Sequence, residues 1–170
     1  MKTTTRVLLA AALCFVVVGC ARQVQEEAPP PPTTAPPTTT EPAPTTGVFG
    51  PEDLDTDACL RQRVVYFDFD QEALRPEFQA QMACHAKYLR DRPSARITLE
   101  GHADERGSRD YNLGLGERRG SAVSSALQAN GGSGTQLTTV SYGEERPQCT
   151  DTTEDCWAQN RRVEIVYTAR

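Results

Sequence analysis

The 170-residue sequence has few of the residues on which metal sites and catalysis usually depend. His85 and His102 are its two histidines, and neither forms a pair with a cysteine or histidine at the spacing typical of zinc ligands. The sequence also has no paired nucleophile and base and no phosphate-binding loop. We therefore predict no metal, no cofactor and no catalytic residue. His102, Asp104 and Glu105 share one loop, which leaves an acid–base or metal-binding alternative open.

Basic residues are in the minority as well. Lysine and arginine number 18 against 23 aspartates and glutamates, and the formal net charge is −5. Nucleic-acid binding needs a basic field, so nucleic acid is not an expected partner. Attraction to anionic lipid headgroups is disfavoured for the same reason. No apolar run reaches the length of about 20 residues that a membrane span needs. Any membrane attachment must therefore use a lipid or another apolar contact.

The segment at the start of the chain has the pattern of an export signal. Lys2 and Arg6 form a positive region before an apolar segment, Val7–Val18. That segment is shorter than a bilayer span, which is typical of a cleaved signal. We predict that residues 1–19 are a lipoprotein signal peptide.

The lipoprotein assignment depends on the four residues VVGC, Val17–Cys20, which resemble a bacterial lipobox. The small Gly19 suits a signal peptidase, and the thiol of Cys20 is the group that lipidation needs. Several acyl chains on Cys20 would make a stable anchor, at about 0.8 kcal/mol per buried CH₂. Ala21 follows in place of an aspartate, which implies transfer to the outer membrane. The alternative is an ordinary cleaved signal with a chance cysteine.

Proline and threonine dominate the next segment. The run APPPPTTAPPTTTEPAPTT cannot bury a core and is expected to stay extended. Polyproline II geometry gives about 3.1 Å per residue, so the segment could reach on the order of 80 Å. We predict a flexible tether over residues 20–58 and one folded domain over residues 59–170.

Within the domain, apolar periodicity predicts alternating strands and helices. β-Branched and aromatic residues indicate a first strand, and an apolar stripe of Phe78, Met82, Ala86 and Leu89 indicates a helix that begins near Pro76. The predicted order is βαβαβ, a short helical turn and a last strand, which is typical of an α/β sandwich. The predicted segments are Val64–Phe69, Pro76–Asp91, a strand from Ile97, a helix capped by Ser108 or Asp110, Gln136–Tyr142, Cys156–Asn160 and Arg162–Thr168.

The most informative stretch is ITLEGHADERGSRDYNLGLGERRG, Ile97–Gly120. It predicts a strand, a charged loop and a helix on which Asn112 and Arg119, two turns apart, share one face. Gly116 lies between them, and a glycine inside a helix indicates close approach of a ligand or another backbone. Asp104 on the loop and Arg119 on the helix could bind the ammonium and carboxylate of a small zwitterion. An internal salt bridge or a solvated charged face is the alternative.

Four ordered motifs resemble the OmpA-type C-terminal domains and cover about Val64–Tyr167: VYFDFD, GHADERG-x₃-YN-x₂-LGERR, VSYGEERP and NRRVEIVY. The resemblance implies a small mixed sheet with helices on one face. It also implies that Asp104 and Arg119 hold the meso-diaminopimelate of a peptidoglycan stem peptide, that Asn112 fixes the loop, and that Phe69 and Asp70 line the groove. Gly114 and Gly120 depart from the more usual serine and alanine. Asn160 and Arg161 are expected to fix nearby loops, or to serve only as a cap and a salt bridge.

Within that family the motifs are most similar to those of the lipoproteins of the Tol–Pal system. This implies a lipid-anchored protein of the outer membrane with its domain in the periplasm, which links that membrane to the cell wall and supports envelope integrity and cell division. It further implies docking to TolB and other Tol components, with Glu105 and Arg106 as contacts. An OmpA-like envelope lipoprotein outside the Tol system is the alternative. A flagellar stator protein would need a membrane-spanning helix.

Four cysteines remain in the predicted domain: Cys59, Cys84, Cys149 and Cys156. An even number in an exported chain favours two disulfides, for which three pairings are possible. Cys149 and Cys156 bracket one loop. Cys84 lies about 200° around its helix from Met82, so it points away from the core and towards the segment before the first strand. We favour Cys59–Cys84 and Cys149–Cys156.

Overall fold

The computed structural model describes residues 47–170. The predictions for the signal peptide, for Cys20 and for the tether up to residue 46 therefore lie outside the described residues. Between residues 47 and 170, no helix combines the length and the apolar character that crossing a membrane would require.

The described part contains four strands and four α-helices in the order that the sequence predicts, with one additional short helix at the start. The strands are β1 (Val64–Tyr66), β2 (Arg96–His102), β3 (Leu137–Gly143) and β4 (Arg162–Ala169). The helices are α1 (Asp53–Thr56), α2 (Gln79–Asp91), α3 (Arg109–Ala129) and α4 (Glu154–Asn160). One-turn 3₁₀ helices precede α2 and β3, at Pro76–Phe78 and Gly134–Gln136.

The strands form one mixed sheet in the order β1-β4-β2-β3. β2 and β3 are parallel and are joined by α3, whereas β4 is antiparallel to both β1 and β2. In β2, Ile97, Leu99 and Gly101 are buried and alternate with less buried residues, as expected for a strand with one face on a core. The predicted fold class, an α+β sandwich with a small mixed sheet, is confirmed.

The core lies between the sheet and the helices α2 and α3. The predicted stripe of α2 is confirmed, because Met82, Ala86 and Leu89 are buried and Phe78 packs at its edge. The sheet and α3 contribute apolar side chains that face this stripe: Val65, Phe67, Ile97, Leu99, Val123, Leu127, Val163 and Ile165. This packing fixes the carboxyl end of β2 against the start of α3.

The first strand is shorter than predicted, since β1 ends at Tyr66 and not at Phe69. One further contact continues the pairing, in which the Phe67 N–H donates to the Arg161 carbonyl at 2.9 Å. Asp68 and Asp70 are poor strand formers, and Asp70 adopts a left-handed conformation with φ of 56°. The chain therefore turns away from the sheet and brings Asp68, Phe69 and Asp70 over the end of β2.

The packed part of the chain extends N-terminal to residue 59, where the sequence analysis placed the start of the domain. Phe49 and Leu54 are buried in the core. The Phe49 ring lies 6.1 Å from that of Tyr88, and the Phe49 N–H donates to Asp91 at 2.9 Å. Apart from Val48, which is exposed, their neighbours are mostly acidic residues, glycines and Pro51, so no periodicity indicates their burial.

The favoured cysteine pairing is confirmed. Cys59 bonds to Cys84 of α2, with the Cα atoms 6.4 Å apart, and Cys149 bonds to Cys156 of α4, with the Cα atoms 5.3 Å apart. The first bond joins the segment before β1 to α2. The second closes the loop that leads into α4.

Candidate functional site

The site is formed where β2 runs into α3. The strand ends at His102, and the loop that follows leads to Ser108, which is the N-cap of α3. Its hydroxyl accepts a hydrogen bond from the Tyr111 N–H at 3.2 Å. Of the two predicted caps, Ser108 is therefore the one used, and its preference for this position fixes where the helix begins.

Two facing glycines bring α3 unusually close to β2. A Cβ atom on Gly101 would lie 1.9 Å from the Gly116 carbonyl oxygen, and one on Gly116 would lie 2.8 Å from the Gly101 oxygen. No side chain fits at such distances. The expectation that Gly116 permits close approach of another backbone is confirmed. The contact holds the face of α3 that carries Asn112 and Arg119 against the end of the strand.

All five predicted binding residues line one pocket of about 250 Å³. The pocket lies between the loop after β1, the loop after β2 and the first turns of α3. Its lining residues are Phe69, Asp70, Asp104, Arg106, Gly107, Tyr111, Asn112, Leu115 and Arg119. The structure thus brings Asp104, Arg119, Asn112, Phe69 and Asp70 together, and their role in binding remains a prediction.

Asp104 is buried, with 4% of its surface exposed. Its Oδ1 accepts hydrogen bonds from the backbone N–H and the Nε of Arg106, at 3.1 and 3.2 Å. Its Oδ2 accepts from the Arg106 Nη2 at 2.7 Å and from the Arg161 Nη1 at 3.2 Å. Burial opposes ionisation, but the hydrogen bonds from Arg106 and Arg161 outweigh it and hold the pKa of Asp104 below its usual value. The carboxylate is therefore charged at neutral pH.

Arg119 is fully buried, and backbone oxygens hold its guanidinium. Its Nε donates to the Gln71 carbonyl and its Nη1 to the His102 carbonyl, both at 2.8 Å, and its Nη2 donates to the Asp68 carbonyl at 3.1 Å. Among residues 47–170, no carboxylate oxygen lies within ion-pairing distance of this side chain. Burial lowers the pKa of Arg119 to about 10, against an opposing effect of the Asp104 charge, so the group stays cationic at neutral pH.

The hydrogen-bonding capacity of Arg119 is only partly used. A guanidinium has five N–H donors, and the three contacts above leave one on each terminal nitrogen. A buried cation with carbonyl partners but no counter-ion is energetically unusual, because burial of an unpaired charge is costly. An anionic group in the pocket would satisfy both the charge and the two remaining donors.

Asn112 fixes the loop from beneath. It is 1% exposed, and its Nδ2 donates to the Asp104 carbonyl at 3.0 Å and also contacts the Glu144 carboxylate. The amide thus holds the backbone of Asp104 in place and leaves that residue's carboxylate directed to the arginines. This agrees with the loop-fixing role that the resemblance implies for Asn112.

Arg106 lies over the pocket between two aromatic rings. Its guanidinium carbon lies 4.0 Å from the centroid of the Phe69 ring and 4.2 Å from that of Trp157. Besides binding Asp104, it pairs with Glu154 at 3.3 Å. Glu105 accepts a hydrogen bond from the Trp157 indole at 3.1 Å. The proposal that Glu105 and Arg106 contact a partner protein remains a prediction.

Arg161 and Asn160 hold the loops behind the site. The Arg161 Nε donates to the Phe67 carbonyl at 3.1 Å, its Nη1 to Asp104 and its Nη2 to Glu154 at 2.7 Å. The Asn160 side chain accepts from the Gln148 and Cys149 N–H groups and donates to the Cys149 carbonyl. Both residues fix nearby loops, and Arg161 also forms the salt bridge that was its alternative role.

Four residues at the site were not predicted from the sequence: Gly107, Tyr111, Leu115 and Trp157. Tyr111 lines the pocket and its hydroxyl donates to Asp70. Leu115 lies four residues before Arg119 on the same helix face, so helical spacing could have indicated it. Trp157 has no such signal, because the long loop before α4 brings it to Arg106.

The acid–base alternative is not supported by the geometry. The His102 ring lies away from the pocket lining, beside the Tyr142 ring at 5.5 Å, so it does not converge with Asp104 and Glu105. Burial lowers the pKa of His102 to about 4, and the ring is therefore neutral. Within the described residues, Asp57, Cys59 and Cys84 could together approach a metal ion, but the two sulfur atoms are joined in a disulfide.

Comparison with known proteins agrees with this fold. Residues 66–161 match the OmpA family, which is more than half of the sequence, and the chain therefore belongs to that family. Within it, the chain is similar to the peptidoglycan-associated lipoproteins. The one from Pseudomonas aeruginosa is 49% identical over 113 residues, which are 66% of this chain and 67% of that protein. The one from Legionella pneumophila is 40% identical over 119 residues, which are 70% and 68% of the two chains.

Solved structures give the same result. The crystal structure of the peptidoglycan-associated lipoprotein from Burkholderia pseudomallei superposes with a TM-score of 0.67 at 41% identity, and covers 68% of this chain and 98% of that one. The C-terminal domain of Helicobacter pylori MotB superposes with a TM-score of 0.57 at 21% identity, over 62% of this chain and 83% of that one. That second similarity shows the shared fold alone.

Proposed function

We propose that this chain is an outer-membrane lipoprotein that binds peptidoglycan non-covalently and acts in the Tol–Pal system, linking the outer membrane to the cell wall. The names of its relatives, peptidoglycan-associated lipoproteins, support the association with the wall. The ligand within the wall is the meso-diaminopimelate of the stem peptide. The role is one of binding and not of turnover, in agreement with membership of the OmpA family.

One observation carries the ligand assignment. A buried carboxylate, Asp104, and a buried guanidinium, Arg119, which has no carboxylate partner among residues 47–170, line the same pocket. The free end of meso-diaminopimelate carries an ammonium and a carboxylate on one carbon atom. The ammonium would bind Asp104 and the carboxylate would bind the two free N–H groups of Arg119. Charge-assisted hydrogen bonds of this kind contribute roughly 1.5–3 kcal/mol each.

The same geometry accounts for discrimination between cell walls. Lysine has the ammonium of diaminopimelate but lacks its second carboxylate. A lysine-type stem peptide would leave Arg119 buried with its two N–H groups unmatched, and an unpaired buried donor costs more than a missing contact. Diaminopimelate-type peptidoglycan is therefore the preferred ligand.

Attachment to the outer membrane and docking to Tol components complete the proposal. A lipid anchor on Cys20 would place the domain in the periplasm, and the proline-rich tether would allow it to reach the wall. TolB is the proposed protein partner, and Glu105 and Arg106 at the pocket rim are its proposed contacts. A lipoprotein with the same domain outside the Tol system is the alternative. Co-purification with TolB after crosslinking in envelopes separates the two.

Retention on isolated sacculi tests the ligand assignment. Wild type, Asp104→Asn and Arg119→Lys are each mixed with diaminopimelate-type and lysine-type sacculi. Wild type should be retained on the first wall and not on the second, and each variant should lose affinity by about tenfold or more. Asp104→Asn keeps the side-chain size and Arg119→Lys keeps the charge, so each is a mild change that removes the paired contact with the ligand.

Two neighbouring residues provide matched controls. Asp110→Asn and Arg118→Lys change the same residue types on α3, the helix that carries Arg119, and neither residue lines the pocket. Both controls should bind as wild type does. Equal retention of Asp104→Asn, Arg119→Lys and wild type would contradict the assignment. Release of soluble muropeptides during incubation would contradict a binding role.

A further inference from the structure

We propose that Arg106 is a displaceable internal counter-ion of Asp104, which the ligand's ammonium group must replace, and that Arg106 thereby sets the selectivity of the pocket. This inference rests on the proposed function, because it concerns how the same pocket admits a diamino ligand. It assigns Arg106 a role in the site that is distinct from contact with a partner protein.

The first step is that Asp104 has no free acceptor position. A carboxylate offers about four lone-pair sites. Two hydrogen bonds reach each oxygen: Oδ1 accepts from the backbone N–H and the Nε of Arg106, and Oδ2 accepts from Arg106 and Arg161. An ammonium group that binds Asp104 must therefore displace one of these donors.

Arg161 is not the donor that leaves. Its side chain is 7% exposed, and besides Asp104 it binds the Phe67 carbonyl and Glu154. Moving it would break contacts that hold the end of β1 to the segment between α4 and β4. The Arg106 side chain is 30% exposed and lies on the pocket side of Asp104, so it is the donor that can swing out.

The second step is that Arg106 already has another place to bind. Glu154 lies 3.3 Å from its Nη1, and the rings of Phe69 and Trp157 lie on either side of its guanidinium. If the guanidinium leaves Asp104, it keeps the Glu154 charge and both aromatic contacts. In the displaced state Arg106 is still paired with Glu154. The exchange at Asp104 therefore has a small cost in free energy.

Selectivity follows from this exchange. A ligand with a carboxylate but no ammonium forms hydrogen bonds with Arg119 but cannot replace Arg106 at Asp104. Such a ligand therefore binds while Arg106 stays paired with Asp104. A ligand with both groups must displace Arg106, and only a cation compensates Asp104 for the loss. Removal of Arg106 should therefore favour amine-bearing ligands over their amine-free analogues.

Calorimetric titration of the Arg106→Gln variant tests the inference with two soluble muropeptides. One stem ends in meso-diaminopimelate, and the other ends in 2-aminopimelate, which keeps the free carboxylate and lacks the ammonium. Arg106→Gln should bind the first about threefold to tenfold more tightly than wild type does, because one competitor for Asp104 is absent. Its affinity for the second should change by less than about twofold. Arg109→Gln, which removes an exposed arginine paired with Glu145, is the matched control and should change neither affinity.

The outcomes separate the two proposals. If wild type does not bind the diaminopimelate muropeptide, or if Asp104→Asn binds it equally well, the proposed function fails. If wild type binds through Asp104 and Arg106→Gln binds the same or more weakly, only the role of Arg106 is overturned. An NMR titration of wild type needs no variant: the Arg106 Nε–H signal should shift at saturating diaminopimelate muropeptide, and an unchanged signal would also overturn it.

Discussion

The two charged walls of the pocket are built differently. Asp104 is held by arginine side chains, Arg106 and Arg161, whereas Arg119 is held by three backbone carbonyls, two from the loop after β1 and one from the end of β2. Side-chain partners can rotate away and be replaced, but backbone partners move only if the fold moves. The Asp104 wall is therefore adjustable, and the Arg119 wall is rigid and belongs to the fold as much as to the site.

The largest effect is expected when the rigid wall is removed. Arg119→Ala would remove the donor from the Gln71 and His102 carbonyls, would leave the Asp68 carbonyl with only its bond from the Gln71 N–H, and would open a cavity beside Phe67. Each unsatisfied buried group costs about 1–3 kcal/mol, so we expect a loss of about 3–5 kcal/mol in the free energy of unfolding. Urea denaturation measures this loss. Arg118→Ala, on the exposed side of the helix, should change it by less than about 0.5 kcal/mol.

The next effect concerns the disulfide that supports the adjustable wall. The Cys149→Ser, Cys156→Ser double variant frees the loop that carries Glu154, with a sequence separation of 7. The chain-entropy relation gives a loss of about 2.5 kcal/mol for a loop of this size. For Cys59→Ser, Cys84→Ser, with a separation of 25, it gives about 3.5 kcal/mol. Thermal denaturation compares the two, and only the first double variant should also alter muropeptide affinity.

A smaller effect is expected from the charge of the adjustable wall. Because the folded-state pKa of Asp104 is depressed, ionised Asp104 stabilises the fold above the unfolded pKa of about 4, and this contribution is lost as the pH falls through the folded pKa. Asp104→Asn should cost about 1–2 kcal/mol at pH 7 and much less at pH 2–3. Denaturation at both pH values measures this difference. An equal cost at both would show that the ionised carboxylate contributes nothing.

The smallest effect should come from Trp157. Trp157→Leu removes one ring from Arg106 and the hydrogen bond to Glu105, at a partly exposed position. The cation–π contact contributes about 0.5–1 kcal/mol at such a site, so stability should fall by no more than that. If the Asp104 wall is adjustable, Arg106 side-chain relaxation measured by NMR should show greater mobility in this variant, with the Arg119 signals unchanged.

Much of the fold could be predicted because its elements carry clear periodicity. The stripe of α2 and the alternation in β2 and β4 depend on burial of one face, which the residue pattern records directly. The helix α1 and the burial of Phe49 were not predicted. A helix of four residues and a single aromatic residue are too short to show a periodic pattern of apolar side chains. The placement of Phe49 depends on contacts with Tyr88 and Asp91, which are distant in the sequence.

The sequence predicted which residues form the candidate site, but not the hydrogen bonds that hold them. Spacing placed Asn112 and Arg119 on one helix face, the strand–loop–helix pattern brought Asp104 towards Arg119, and the family motif added Phe69 and Asp70. The carbonyls that hold Arg119 could not be foreseen, because they depend on the left-handed turn at Asp70 and on the path of the chain after β1. The saturation of Asp104 likewise depends on Arg161, which is brought near by β4.

The Cys59–Cys84 bond has a mechanical consequence if the chain is anchored at its N-terminus and bound to the wall. A pull that enters at residue 47 travels along the backbone to Cys59 and crosses the disulfide directly into α2. The segment between the two cysteines, which contains the three-residue edge strand β1, is bypassed. Asp68 and Gln71, whose carbonyls hold Arg119, lie in that segment. The bond thus keeps a pull on the tether from being transmitted along the backbone of that segment.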